Sequence, residues 1–158
     1  MKKIAILLFL GACMAGCGGN SEKNNATSET VSTDSKTGND NPSYDPERGE
    51  GKFKEVAVGA TVDQAMANAG EKIYSVKCNA CHKLTSEKLV GPGWLGVTDR
   101  HQAPWIMNFV TNTDAMLNKD PKAQAQLEIC LVRMPNQNVA DDEARNIYEF
   151  MRRNDGIK

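Results

Sequence analysis

Residues 77–83 read KCNACHK, two cysteines separated by two residues with a histidine directly behind the second. Thiols and an imidazole at this spacing can clip a metal, cycle as a redox dithiol or attach a haem, and each chemistry needs different companions. A structural zinc takes four ligands. Beyond this run the same half of the chain offers only His101 and Cys130, badly spaced for that purpose. A thioredoxin-type dithiol belongs on a βαβ scaffold, and no segment here alternates like a strand for more than a few residues. Haem attachment fits the run as it stands. In C-x-x-C-H both thiolates add to the haem vinyls and the adjacent imidazole turns onto the iron. Cys78, Cys81 and His82 therefore read as the attachment site of one haem c, with His82 as an iron ligand.

The other face of the iron decides between electron transfer and small-molecule chemistry. The candidates are His101 and the methionines 66, 107, 116, 134 and 151. Met66, Met107 and Met151 fall on apolar faces of expected helices and read as core; Met116, in a short polar segment, has a modest claim, and His101 a smaller one. Met134 stands in VRMPNQN, just beyond a helix expected to end near Val132, on a loop that Pro135 stiffens. A thioether that must face His82 across a porphyrin needs such a loop, so Met134 is the expected second ligand.

Helices must position these residues. Thr61-Val62-Asp63-Gln64 has the form of a capping box. Behind it Val62, Ala65, Met66, Ala69, Ile73 and Val76 recur at helical spacing up to Cys78. Gly70 interrupts that helix at a cost of about 1 kcal/mol relative to Ala, the mark of a close approach by another element. Residues 104–110 and 120–132 have a proline at their start, Pro104 and Pro121, and continue with helical spacing. At the far end Asp141, Asp142 and Glu143 open a helix that Arg152 and Arg153 close, matching its dipole. Ala144, Ile147, Tyr148 and Met151 form its apolar stripe. LVGPGWLGV reads as a loop. The expected fold class is all-α.

The rest of the chain is of another kind. MKKIAILLFL has the basic and short apolar regions of an export signal. Both LGA-Cys13 and MAG-Cys17 resemble a bacterial lipobox, and Cys17, which allows an h-region of normal length, is the expected lipidation site. Residues 18–54, rich in Asn, Ser, Thr, Gly and Asp, have too few apolar side chains to offset ordering and read as a disordered tether. The expected organisation is a signal peptide over 1–17, a tether over 18–54 and a folded domain over 55–158. Residues 61–158 hold twelve basic and twelve acidic side chains. No basic face is present to suggest nucleic acid.

The head resembles a class I c-type cytochrome. GEKIYSVKCNACH matches that family's run of glycine, aliphatic and aromatic residues before the haem motif, and RMPN matches the loop of its ligand methionine. The resemblance implies a small all-α fold wrapped round one covalent haem. It implies that Gly70 crosses the last helix against Tyr148, and that the Pro92 carbonyl of GPGWLG accepts from His82. Ala140 departs from the pattern where Ser or Thr often caps the last helix. Trp94, Arg100 and Trp105 are of the types that hydrogen-bond haem propionates, while Cys130 reads as a small buried hydrophobe. The middle of the head, with its WIMN helix and NQ after the methionine, is similar to the small cytochromes encoded beside clade II nitrous oxide reductases. The implied protein is a monomeric single-electron carrier, not an enzyme, lipid-anchored on the periplasmic side of a bacterial membrane. Its implied partners are a quinol-oxidising complex as donor and a terminal reductase or oxidase as acceptor. A fixed subunit of a respiratory complex, and less so a haem enzyme or gas sensor, are the alternatives.

Overall fold

A computed structural model describes residues 43–158. Cys13, Cys17 and the expected tether up to residue 42 lie outside the described residues. In chain order the helices are α1 (Gln64–Lys77), α2 (Val97–Arg100), α3 (Ala103–Thr111), α4 (Thr113–Lys119), α5 (Pro121–Cys130) and α6 (Asp141–Asn154). Among the described residues there is no strand, only an isolated bridge between His82 and Lys88. None of these helices is long and apolar enough to cross a membrane.

The frame is the crossing of α1 and α6. Its contact residue on α1 is Gly70, where an added Cβ would lie 2.6 Å from the Asn146 carbonyl carbon and 2.8 Å from Phe150 Cβ. The close approach expected of Gly70 is present, but Asn146 and Phe150 receive it rather than Tyr148. The buried residues of α1 are Ala67 and Gly70, whereas Met66 and Val76 are exposed. The stripe of larger apolar residues is thus rotated away from the partner helix, because two backbones this close admit only the smallest side chains between them. The cap also differs from expectation. Asp63, not Thr61, is the N-cap and accepts from Met66 N at 2.9 Å. The Thr61 carbonyl accepts instead from Arg152 Nη1 at 3.2 Å, and Arg152 also donates to Gly59 O at 2.7 Å. Glu149, fully buried, pairs with Arg152 at 2.8 Å and accepts from Asp63 N at 3.1 Å. A buried charge is tolerated only when paired and hydrogen-bonded, and this pair ties the entry of α1 to α6. At α6 itself Ala140 supplies no side-chain cap, but Glu143 Oε2 accepts from Ala140 N at 2.9 Å.

Residues 44–53, expected to belong to the tether, are packed on the head. The fully buried Asn108 of α3 donates to Arg48 O at 3.0 Å and Phe53 O at 2.9 Å, and accepts from Phe53 N at 2.9 Å. Tyr44 donates its hydroxyl to the buried Asp120, and Glu50 N donates to Met116 Sδ at 3.0 Å. The expected boundary at residue 54 therefore separates the head from a strap, residues 44–53, that packs against it. Its polar composition conceals this because hydrogen bonds to α3, α4 and Asp120 hold the strap, with Phe53 adding an apolar contact to the core. Helix α4 was not anticipated, and α5 ends two residues earlier than expected, at Cys130, with Leu131 in the left-handed region at φ 60°.

Candidate functional site

Helix α1 stops where the chemistry begins. Cys78 is its C-cap, with N–H groups of Cys78 and Asn79 both donating to Tyr74 O at 3.0 Å. Cys81 N and His82 N then both donate to Cys78 O, at 3.1 and 3.0 Å, which coils the two thiols and the imidazole into one turn. Both thiols are free, Cys78 buried and Cys81 half-buried. Burial pushes the Cys78 thiol up to about 11, partly offset by Lys77. Loop 89–97 folds back onto this turn. Gly91 N donates to Cys81 O at 2.9 Å and Trp94 N to Lys83 O at 2.9 Å, while Tyr74 donates its hydroxyl to His82 O at 2.7 Å.

These bonds bring His82 Nδ1 to 2.9 Å from Pro92 O. A carbonyl only accepts, so Nδ1 carries the proton and the lone pair of Nε2 is left available to a metal. Burial holds the imidazole below its usual range against the opposing effect of the Pro92 bond, which favours the neutral form a metal ligand needs. Gly91 passes so close over the ring that an added Cβ would stand 2.8 Å from both ring nitrogens.

His82 opens on a cavity of about 420 Å³, a size usual for small-molecule sites. Trp94, Trp105, Ile106, Phe109, Val110 and Met151 make its wall largely apolar. Met134 lines this cavity and also a smaller one of about 80 Å³, which His82 shares and which Cys81 joins. The Met134 loop is held to α4 by Arg133, which reaches Asp114 Oδ1 at 3.1 Å and Asn118 Oδ1 at 3.0 Å. Met116, by contrast, is fully buried beneath the strap and does not line either cavity.

The remaining expected residues separate by what their polar atoms already do. Trp94 is buried in the wall, 4.9 Å from Tyr74 and 5.7 Å from His82 between ring centroids, and its indole N–H has no partner among the described residues. Arg100 lines the cavity but donates to Leu95 O at 2.8 Å and Gly93 O at 3.3 Å, which pins the loop. Trp105 contributes its ring face; its N–H, expected to serve a propionate, is donated to Asp120 Oδ2 at 3.1 Å. Cys130 is half-buried and lines both cavities. Sequence reasoning missed Gly91, Gln126 and the place of His101 in the wall. Only Gly91, next to a loop proline, left a trace in the sequence.

The donor set fits a covalently held haem. Two thiols sit beside an imidazole with a free nitrogen, a thioether shares the cavity, and the glycine cradle leaves the imidazole room that a Cβ would take. The family model described as cytochrome c matches residues 67–155. Among solved structures, cytochrome c from Rhodothermus marinus is 30% identical with a TM-score of 0.64, over 66% of this chain and 90% of that one. An engineered form of that cytochrome, Rma TDE, is 30% identical with a TM-score of 0.66, over 70% and 98% of the two chains. No curated protein matches the chain. A match over more than half the chain, on a fold and donor set of this kind, places the protein in the cytochrome c family, with one covalently bound haem c as its cofactor.

Proposed function

We propose that the protein is a single-electron carrier in which Cys78 and Cys81 hold the haem and His82 Nε2 and Met134 Sδ are the axial ligands. The observation that carries this reading is the shared cavity: His82, with Nδ1 locked on Pro92 O, and Met134 both line it. Haem c supplies a one-electron redox centre there. Pro92 fixes the imidazole plane and raises its basicity, the usual effect of a carbonyl behind a ligating histidine. Trp94, Phe109 and Met151 line the cavity with apolar surface, which would lower the dielectric around a bound haem. Arg133 and Pro135 keep the Met134 loop from swinging out. With His82 and Met134 both bound to it, the iron would keep no open position for a substrate, which favours a carrier over a haem enzyme.

Partner docking has a natural place at the cavity mouth. Ile129, Val90 and Val132 line the cavities and, with their neighbours Leu89 and Leu131, expose apolar surface, and Lys88 Nζ ties its loop to the end of α5 by donating to Ile129 O at 2.9 Å. Small interfaces of this kind suit transient electron-transfer encounters. Lipidation at Cys17 would hold the head at the periplasmic side of a bacterial membrane. The WIMN helix and the NQ after Met134 support a nitrous oxide reductase, or another terminal reductase or oxidase, as acceptor, with a quinol-oxidising complex as donor.

The ligand assignment is tested by the weak sulfur-to-iron charge-transfer band of the oxidised protein. Met134→Ala should lose it and Met116→Ala should keep it. The reverse pattern would overturn the assignment.

A further inference from the structure

His101 differs from the other polar residues of the cavity wall. Its ring stacks on Trp105, 3.8 Å between centroids and 10° between planes, and Gln126 Nε2 lies 3.0 Å from its Nε2. An amide nitrogen only donates, so Nε2 accepts and the proton of the neutral ring sits on Nδ1. Nδ1 is buried and has no hydrogen-bond partner among the described residues. A buried donor left unpaired carries the full cost of its lost hydration, and native proteins seldom leave one so. His101 itself is 9% exposed and lines the same cavity as His82 and Met134. Its immediate neighbours cannot serve it, since the Trp105 N–H and the Arg100 guanidinium are themselves donors and are already engaged.

We propose that His101 donates Nδ1–H to a carboxylate of the bound haem, with Gln126 as the positioning residue that fixes the tautomer. This rests on the cavity between His82 and Met134 being the haem site. The charged groups facing His101 are Lys122 of α5, Arg100 of α2, Asp120 at the start of α5 and Glu47 of the strap. Each of the two cations acts more strongly than either anion, so the charges add to the effect of burial. Burial is the largest cause that lowers the imidazole's affinity for a second proton, to a pKa of about 4, so the ring with nothing at Nδ1 is neutral at pH 7. A carboxylate near the iron favours the oxidised state. A hydrogen bond that draws off part of its charge raises the reduction potential.

The experiment uses the full-length holoprotein and two variants. His101→Phe keeps a ring to stack on Trp105 and removes the donor; Gln126→Leu keeps the imidazole and releases the tautomer. Nitrogen-15 NMR of the wild type should show His101 protonated at Nδ1, with a downfield, slowly exchanging proton that His101→Phe abolishes. The reduction potential should shift down in His101→Phe and shift less in Gln126→Leu, where NMR should show mixed tautomers. A wild-type proton on Nε2, or an Nδ1 proton exchanging at the rate of a water-bonded group, would overturn the proposal. So would an unchanged potential in His101→Phe alongside a lowered melting temperature, which would mark His101 as packing only. The sulfur-to-iron band separates the two readings: its absence from the wild type refutes Met134 ligation and leaves the Nδ1 result standing.

Discussion

Gly91→Ala isolates the closeness of the chain to the proximal imidazole. The φ angle of Gly91 is not positive, so alanine adopts the same backbone without strain and the whole effect comes from its Cβ. That Cβ would stand 2.8 Å from His82 Nδ1 and Nε2, where ordinary contact begins at 3.4 Å. The ring must retreat by at least 3.4 − 2.8 = 0.6 Å. Moving off Gly91 stretches the neighbouring bond to Pro92 O, now 2.9 Å, beyond good hydrogen-bond geometry. Overpacking of this kind costs about 1–3 kcal/mol, and the lost hydrogen bond about 1 kcal/mol. The stiffer unfolded chain returns about 0.4–1 kcal/mol. The net is a destabilisation of about 2 kcal/mol, roughly a thirtyfold rise in the unfolding constant. Guanidinium unfolding of the holoprotein, followed by the haem band and by far-ultraviolet circular dichroism, measures it. The reduction potential should rise as well, because an imidazole without its carbonyl partner is a weaker donor to the iron. Gly93→Ala is the control: its Cβ would strike the backbone of Thr85 and Ser86, not His82. It should lower stability and leave the potential nearly unmoved. Wild-type stability and potential in Gly91→Ala would refute the reasoning.

Two other outcomes follow from the frame around the site. Gly70→Ala gains about 1 kcal/mol of helix propensity, yet its Cβ meets the Asn146 carbonyl and Phe150 Cβ at the crossing of α1 and α6. The clash should win, and thermal melting should show a net loss of about 1–2 kcal/mol; a more stable variant would mean that the crossing is looser than described. Tyr44→Phe removes the strap's hydroxyl bond to Asp120, and should cost about 1 kcal/mol with faster proteolysis near the strap. Burial first, then the Asp120 bond, raises the Tyr44 phenol above its usual range. The unfolded chain therefore loses this proton at lower pH than the folded one. Stability should fall as pH rises above about 10, and less so in Tyr44→Phe; identical alkaline profiles would remove Tyr44 from the account.

The sequence by itself determined the cofactor chemistry and the helical class. Cys78, Cys81 and His82 are contiguous, so one local turn brings their reactive atoms together. The stripe of α6 is legible because Ala144, Ile147, Tyr148 and Met151 are its largest signal and also its buried face. Tertiary structure decided the rest. Helix α1 buries Ala67 and Gly70 instead of its larger apolar residues, since backbone proximity selects small side chains and hydrophobic periodicity does not report it. Residues 44–53 read as tether, because partners such as Asn108 and Asp120 lie far along the chain and a hydrogen bond leaves no periodic trace. Trp105 and His101 exchange their expected standing for the same reason. Whether a polar side chain is spent or free depends on what folding sets beside it, here Asp120 for the indole and nothing for His101 Nδ1.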